Sequence, residues 1–248
     1  MQQRRHATDC ISAFLHFCTT VVLPVRILIV AATRLEVAPL IAGVTNAVEH
    51  HRVTSGAIGP HHVDTLLTGV GMVATAVWCS RALAIGGYDL ALNLGVCGSF
   101  APAFPPATVV HVTCDMFSEL GAQDGPRFLP LQDLGIFEPD LFPYSGGRLV
   151  NTKPPSLTGL ADLPVASSIT VNTVHGEDAS IAAVIARCAP DVESMEGAAF
   201  MYACLVAGIP FAQVRAVSNR VERRNRAAWD LAGAVERLGH VSLSLLGS

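Results

Sequence analysis

Charge is scarce in this sequence, and lysine is almost missing from it. Only 15% of the 248 residues are charged, Lys153 is the single lysine among 16 basic residues, and the formal net charge is −4. Intrinsically disordered chains combine high charge with few apolar residues, whereas 51% of these residues are apolar. A negative net charge also argues against nucleic acid or an anionic membrane surface as a partner. We therefore expect a folded protein that binds neither.

Long uninterrupted apolar segments are missing as well. A membrane-spanning helix needs about 20 consecutive, mainly apolar residues. The uncharged segment 197–214 contains Gly208 and Pro210, which indicates a buried helix, a turn and a buried strand. We therefore expect no segment that crosses a membrane.

The first 25 residues do not fit a secretory signal peptide. Asp9 and His16 interrupt the apolar stretch that such a peptide requires. The first segment with the character of a regular element begins at residue 26. We expect residues 1–25 to be an N-terminal extension that is disordered or precedes the true start, and residues 26–248 to form the folded domain.

Metal-binding and redox motifs are absent from the sequence. The seven cysteines include no CxxC pair, which is typical of buried free thiols in a reducing compartment such as the cytoplasm. The adjacent histidines at 50–51 and 61–62 are poor chelates, because neighbouring side chains point apart on a strand or helix. No GxxxxGK[ST] phosphate-binding loop is present. We expect neither a metal nor an organic cofactor.

Strand-like and helix-like segments alternate along the chain. Residues 26–32 are apolar and β-branched, as in a buried strand. The glycines of segment 95–98 are expected to break a strand over 89–94, and the last helix is predicted over 227–238. Residues 124–164 contain seven prolines and are expected to be irregular. The alternation predicts a single three-layer α/β domain in which helices flank a central mixed, twisted β-sheet.

Polar or glycine-rich sequences follow three predicted strands, and ligands of α/β proteins gather at the carboxyl ends of strands. Glu36 follows the first strand and is either a functional carboxylate or a first-turn residue favoured by the helix dipole. The turn Gly69-Val-Gly71 precedes a helix and allows backbone amides to approach a ribose or an anion. Glu196 and Arg215 lie in apolar surroundings, where they form a structural salt bridge or bind a ligand.

Four segments, taken together, resemble the superfamily of purine nucleoside phosphorylases and methylthioadenosine nucleosidases. They are Gly69-Val-Gly71, Asn93-Leu-Gly-Val-Cys-Gly98, Ser194-Met-Glu-Gly197 and Arg215-Ala-Val-Ser-Asn219. Within the superfamily the chain is most similar to the futalosine hydrolases. That similarity rests on the segments 112–121, 128–131 and 218–221, followed by Arg224 and Trp229. The resemblance covers residues 26–245 and implies a nucleoside phosphorylase-like fold.

The resemblance also implies roles for individual residues. Hydrolysis of an N-ribosidic bond passes through an oxocarbenium-like sugar, as in glycoside hydrolysis. Glu36 is expected to orient and deprotonate a water molecule with help from Arg215, and Asn219 completes the expected catalytic set. Glu196 is expected to accept hydrogen bonds from the ribose hydroxyls, because a carboxylate offers several lone pairs. The other expected substrate-binding residues are Met195, which packs beneath the sugar, Gly71, Val96, Ser218 and Arg223.

Asn219 stands where the nucleosidases carry an aspartate, and this departure points to the base. A carboxamide offers an acceptor and a donor together, which matches N7–H and O6 of a 6-oxopurine such as hypoxanthine. An aspartate matches a 6-aminopurine better. Asn219 is not a general acid, so the source of the N7 proton stays open. One of the arginines 223, 224 and 226 is expected to bind a carboxylated substrate tail.

The expected activity is hydrolysis of futalosine to hypoxanthine and dehypoxanthine futalosine in menaquinone biosynthesis. Alternatives are a nucleosidase acting on aminodeoxyfutalosine or methylthioadenosine, a phosphate-dependent purine nucleoside phosphorylase, and a nucleoside-binding protein without activity. A phosphorylase would need cations near the Gly69 turn or before Gly95, and the neighbouring sequence has none. The partner is expected to be a small purine nucleoside, and the superfamily resemblance implies a homo-oligomer.

Overall fold

A computed structural model describes residues 24–247 of the chain. The expected N-terminal extension, residues 1–25, therefore lies almost wholly outside the described residues. The described residues form twelve strands: β1 (Arg26–Ala31), β2 (Thr45–His50), β3 (Val53–Ile58), β4 (His61–Leu67), β5 (Leu90–Ser99), β6 (Val109–Asp115), β7 (Gly121–Asp124), β8 (Arg127–Pro130), β9 (Leu149–Val150), β10 (Val165–Thr170), β11 (Val192–Ser194) and β12 (Phe211–Arg220).

Five α-helices and two short 3₁₀ turns complete these elements within residues 24–247. The helices are α1 (Arg34–Ala42), α2 (Met72–Gly86), α3 (Asp178–Cys188), α4 (Gly197–Ala207) and α5 (Leu231–Leu245). The 3₁₀ turns are Leu160–Asp162 and Arg226–Ala228.

Ten of the strands form one mixed sheet in the order β11-β10-β6-β12-β5-β1-β4-β3-β2, with β9 added beside β6. Strand β1 runs parallel to both β4 and β5, whereas β12 is parallel to β5 and antiparallel to β6. Strand β11 pairs with β10 and also, antiparallel, with β5. The strands β5, β12, β6, β10 and β11 therefore close into a ring at one end of the sheet.

Helices cover both faces of the sheet, as the alternation of elements predicts. Side chains of a strand point alternately to opposite faces. On β1, Ile27 and Ile29 pack into a core with α1 and α5, whereas Leu28 and Val30 pack into a second core with α2 and α4. The three-layer α/β architecture with a central mixed sheet is confirmed.

The glycine-containing segment 95–98 does not break its strand. Strand β5 continues through it to Ser99, because the segment is paired with β12 on one side and with β11 on the other. The glycines leave space for neighbouring side chains rather than ending the element. The expectation of a break after residue 94 was wrong.

The last helix begins and ends later than the predicted 227–238. Residues 226–228 form a 3₁₀ turn, and α5 starts at Leu231 because the Asp230 side chain accepts a hydrogen bond from the Gly233 amide. The helix extends to Leu245, which is buried against the sheet. Local pattern therefore predicts the existence of this helix, whereas its start is set by the cap.

The proline-rich segment 124–164 is mostly irregular, as expected. Its regular parts are the end of the small β7–β8 hairpin, the two-residue strand β9 and one 3₁₀ turn. No helix within residues 24–247 has the length and apolar character needed to cross a bilayer. The five cysteines in this part of the chain are free thiols, and four of them are buried.

Candidate active site

One cavity of about 290 Å³ opens at the carboxyl ends of β1, β5 and β12, beside β11. We call it the main cavity. Six of the residues expected at the site line it: Glu36, Val96, Met195, Glu196, Ser218 and Asn219. Strand ends separated by more than a hundred residues of sequence therefore converge on one space, as parallel strands in an α/β sheet require.

Glu36 enters this cavity from the first turn of α1 and is almost fully buried. Its Oε2 accepts hydrogen bonds from the Thr33 amide at 2.8 Å and the Thr33 hydroxyl at 3.0 Å. Its Oε1 accepts one from the Val96 amide at 3.2 Å. Three donors from two elements fix the carboxylate, so it serves both as a helix cap and as a cavity group.

Arg215 lies beneath the cavity at the centre of β12 and is 1% exposed. Its Nη2 donates a hydrogen bond to the Asn93 side-chain oxygen on β5, and its Nε has no hydrogen-bond partner among the described residues. Arg215 pairs with Gly95 across the two strands. A Cβ atom at Gly95 would overlap Arg215 Nη1 and lie 2.9 Å from Glu36 Oε1. The absence of a side chain at Gly95 leaves the space that the ends of Glu36 and Arg215 occupy.

Glu196 lies immediately before α4 and joins that helix to the Gly69–Gly71 turn. Its Oε1 accepts a hydrogen bond from the Gly71 amide at 2.9 Å, and its Oε2 lies 4.0 Å from Arg215 Nη1. Gly71 has a φ of 100°, a conformation that favours glycine. Burial raises the pKa of the Glu196 carboxyl above its usual range, and the positive charge of Arg215 opposes that rise. The arginine is therefore the group that favours the ionised form.

Ser218 and Asn219 lie at the other side of the cavity, where β12 ends. The Ser218 hydroxyl lies 2.8 Å from Asn219 Oδ1, to which it donates, and Asn219 Nδ2 donates to the Arg220 carbonyl at 2.9 Å. A carboxamide has two acceptor lone pairs and two donor hydrogens. Asn219 therefore keeps one donor hydrogen and one lone pair for a ligand.

The three arginines considered for a substrate tail occupy different places. Arg224 lies over the Trp229 ring, 5.7 Å from its centroid, and both line a side cavity of about 80 Å³. Arg223 is exposed and lines neither cavity. Two backbone hydrogen bonds lower the pKa of the Glu177 carboxyl, and the charge of Arg223 lowers it further. Arg226 is exposed in the 3₁₀ turn.

A buried polar network behind Glu196 was not apparent from sequence. Asp115 accepts hydrogen bonds from the Thr170 hydroxyl at 3.0 Å and from Gln213 Nε2 at 3.0 Å. The Thr170 hydroxyl in turn accepts one from the Ala198 amide in the first turn of α4. Burial raises the pKa of Asp115 to about 6. The network anchors the end of α4 that carries Glu196.

Sequence reasoning also missed a pair formed by His175 and Glu193. His175 Nδ1 lies 2.7 Å from Glu193 Oε2, and both residues line the side cavity together with Asn219. The sequence indicates that Glu193 lies at a strand end. Its partner could not be identified, because 18 residues separate the two and only the fold brings them together.

Comparisons with known proteins agree with this geometry. Residues 26–246 match the model of the phosphorylase superfamily. A futalosine hydrolase from Acidothermus cellulolyticus is 32% identical over 232 residues, which cover 89% of this chain and 90% of the relative. A futalosine hydrolase from Thermus thermophilus is 31% identical over 88% of this chain and 94% of its own length.

Solved structures show the same fold at lower identity. The 5′-methylthioadenosine/S-adenosylhomocysteine nucleosidase of Colwellia psychrerythraea, in complex with adenine, superposes with a TM-score of 0.74 at 21% identity, covering 90% of this chain and 95% of that one. The S-adenosylhomocysteine nucleosidase of Streptococcus pyogenes gives 0.76 at 19% identity, covering 91% and 98%. The chain therefore belongs to the phosphorylase superfamily and, within it, to the family of the futalosine hydrolases.

Proposed function

We propose that this protein hydrolyses the N-ribosidic bond of futalosine and releases hypoxanthine and dehypoxanthine futalosine, as a step of menaquinone biosynthesis. The observation that carries the proposal is the arrangement of Glu36, Glu196 and Asn219 around one cavity. The cavity then holds a carboxylate that activates water, a carboxylate that accepts hydrogen bonds from the ribose hydroxyls, and a carboxamide that matches a 6-oxopurine. The names of the curated relatives support futalosine as the substrate.

Glu36 is the group that activates water in this proposal. Its carboxylate is held by the Thr33 and Val96 amides, which leaves lone pairs for a water molecule. As C1′ becomes oxocarbenium-like, the water oxygen bonds to C1′ and passes a proton to Glu36. Arg215, whose guanidinium reaches the same space above Gly95 as the Glu36 carboxylate, stabilises negative charge on that carboxylate until the proton arrives.

Glu196 and Met195 hold the ribose. Glu196 Oε1 is occupied by the Gly71 amide, whereas its Oε2 makes only the 4.0 Å contact with Arg215. That oxygen is free to accept hydrogen bonds from the 2′- and 3′-hydroxyls. Met195 provides a flexible apolar surface beneath the sugar. These contacts fix C1′ relative to Glu36.

Water rather than phosphate is the nucleophile that this cavity favours. The described residues that line it include three carboxylates, Glu36, Glu193 and Glu196, and no lysine or arginine. One cation does approach the glycine turn from elsewhere in the chain, because a Cβ atom at Gly69 would lie 3.6 Å from Arg52 Nη1. Its Nη1 donates to the Leu67 and Thr68 carbonyls, so it lies outside the cavity lining. Arg215 beneath the cavity is already shared between Asn93 and Glu196, so a phosphate dianion would meet a lining of net negative charge.

The carboxylated tail of the substrate is assigned to Arg224 and Trp229. Trp229 lines both the main and the side cavity, and Arg224 stacks on its ring. The pair offers an aromatic surface and a cation, which suit an aryl carboxylate. Arg223, also expected in this role, lines neither cavity.

The protein acts as a homo-oligomer in the reducing cytoplasm, according to this proposal. Val73 and Val77 on α2 and Val206 on α4 are all more than half exposed, and Tyr202 lies beside them at 38% exposure. An apolar face of this kind marks an interaction surface, and a second copy presents the same face. Light scattering of the purified protein tests the assembly, and the free thiols agree with a reducing compartment.

A product assay tests the proposed activity. The purified protein is incubated with futalosine, aminodeoxyfutalosine, inosine or methylthioadenosine, with and without phosphate, and the free base is followed by chromatography. We expect hypoxanthine from futalosine at a rate that phosphate does not change. Release that requires phosphate, or equal cleavage of inosine or of the 6-aminopurine nucleosides, would contradict the proposal.

A further inference from the structure

The pair formed by His175 and Glu193 has no part in the mechanism described so far, although it is buried beside the site. His175 Nδ1 lies 2.7 Å from Glu193 Oε2, and the His175 amide donates to Glu193 Oε1 at 3.1 Å. Glu193 is 4% exposed. Both oxygens of a buried carboxylate therefore hold one histidine, which leaves Nε2 as the ring atom for another partner.

Sheet pairing places this pair next to Asn219. Glu193 on β11 and Asn219 on β12 both pair with Gly98 of β5, one on each side. A Cβ atom at Gly98 would lie 3.4 Å from Asn219 Nδ2 and 3.5 Å from Glu193 Cγ. The two side chains therefore flank Gly98 on the same face of the sheet. His175 lines the side cavity with both of them.

The chemistry of the reaction requires an acid at this end of the site. The electron pair of the C1′–N9 bond leaves with the purine, which departs far more readily when a ring nitrogen gains a proton. The Asn219 carboxamide cannot supply one. Glu36 and Glu196 are held by the Val96 and Gly71 amides, and the proposed function uses them for the water and the ribose.

We propose that His175 is the general acid of the reaction and that Glu193 is its positioning residue. As the C1′–N9 bond breaks, the Nε2 proton of the imidazolium passes to a ring nitrogen of the purine, while water bonds to C1′ and loses a proton to Glu36. Hypoxanthine leaves neutral. Glu36 then loses a proton to solvent and His175 regains one, so atoms and charge balance. The inference rests on the proposed function, which it deepens.

Several charged groups surround the imidazole. Glu193 contacts it directly, and the side cavity is also lined by Arg220, Glu222 and Arg224. The Phe100 ring packs against it, with 6.2 Å between ring centroids. Among these charged groups, Glu193 is the one that contacts the imidazole and fixes its position.

The test compares two leaving groups in the His175→Asn variant. Asparagine removes the acid, while its Nδ2 takes the position of Nδ1 and keeps a donor to Glu193. The substrates are futalosine and N7-methylated futalosine, whose base departs neutral without a proton. We expect kcat on futalosine to fall roughly 10²- to 10⁴-fold, and kcat on the methylated substrate to fall less than about fivefold.

Two further variants accompany this comparison. Glu193→Gln lowers kcat on futalosine by a smaller factor than His175→Asn does, and it leaves kcat on the methylated substrate unchanged. His240→Asn, on the exposed side of α5, leaves both rates unchanged.

The outcomes separate the two proposals. Wild-type protein that releases no hypoxanthine from futalosine overturns the proposed function and the inference with it. Active wild-type protein together with a His175→Asn variant of near-normal rate on futalosine overturns only the inference. An equal loss on both substrates also overturns it, because a structural role does not depend on the leaving group.

Discussion

Arg215 Nη1 lies 4.0 Å from Glu196 Oε2, at the outer limit of an ion pair, while Nη2 of the same guanidinium donates to Asn93. The arginine is therefore shared between a structural partner and the carboxylates of the site. Truncation of a buried charged side chain destabilises the fold, because each of its partners loses the charge or hydrogen bond that compensated it.

Glu36→Gln should abolish turnover without abolishing binding. The amide cannot take a proton from water, so we expect kcat to fall roughly 10²- to 10⁴-fold. Substrate affinity should change little, because the ribose and base contacts come from other residues. Steady-state kinetics and equilibrium binding measure the two effects.

The matched control for Glu36 is Glu49→Gln. Glu49 pairs with Arg34 on the exposed surface, where an ion pair contributes little to stability. Its rate should match the wild type. A Glu36→Gln variant with near-normal kcat would remove Glu36 from the water-activating role.

Gly95→Ala should disrupt the site through packing alone. The added methyl group overlaps Arg215 Nη1, and the neighbouring Glu36 oxygen is also too close. We expect kcat/KM to fall roughly 100-fold or more, since displacements of about 1 Å can cost this much. The free energy of unfolding should fall by about 1–3 kcal/mol.

Gly43→Ala serves as the comparison for this overpacking. Its added methyl group meets the end of the Leu243 side chain at 3.0 Å, which can move. Kinetics and thermal unfolding of both variants separate the loss of kcat/KM from the loss of stability. A Gly95→Ala variant as active as Gly43→Ala would show that Arg215 needs no fixed position.

Asn219→Asp should shift base preference towards 6-aminopurine nucleosides. The aspartate loses the donor that matches O6 and gains an acceptor for a 6-amino group. A hydrogen bond to a charged group contributes about 1.5–3 kcal/mol, so the ratio of kcat/KM for aminodeoxyfutalosine over futalosine should rise more than tenfold.

The control for this substitution is Asn46→Asp, which makes the same chemical change on exposed β2. It should leave the ratio unchanged. Parallel assays of both nucleosides on the two variants provide the measurement. An unchanged ratio in Asn219→Asp would mean that the base is read by other groups.

Asp115→Asn should stabilise the protein in a pH-dependent way. Because burial raises the Asp115 pKa from 3.8 to about 6, the folded state holds a proton that the unfolded state has released over this interval. Wild-type stability therefore falls as the pH rises from about 4 to 6, by about 3 kcal/mol. Asparagine has no such dependence.

The difference in free energy of unfolding, variant minus wild type, should accordingly increase between about pH 4 and pH 7 and then level off. Urea unfolding at several pH values measures it, and the exposed Asp162→Asn variant should show no such trend. A difference that stays constant with pH would mean that folding does not raise the Asp115 pKa.

Much of the fold followed from local pattern, whereas the site followed only in part. The alternation of β1, α1 and the later elements indicated three layers, and the polar strand ends indicated where a ligand binds. The continuation of β5 past residue 94 depends on pairing with β11 and β12, which no local signal encodes. The His175–Glu193 contact and the Asp115 network depend on the same long-range pairing.

Individual residues show which parts of the site can be predicted from local sequence. Asn219 could be assigned to the base edge because its chemistry differs from the aspartate of related nucleosidases. Three nearby arginines follow Asn219, and only the fold shows that Arg224 lines the side cavity whereas Arg223 lines neither cavity. The direction of a side chain after a strand end is set by the turn that follows.

The pairing of Glu193 and Asn219 with the same residue of β5 has a consequence for how such enzymes diversify. Neighbouring strands are spaced by about 4.8 Å, so the backbone fixes a width of about 10 Å between the two positions. A change of nucleobase then needs only new side chains at the two margins, with no movement of the main chain. Substitution at either position therefore alters the chemistry of the site while the sheet keeps the spacing.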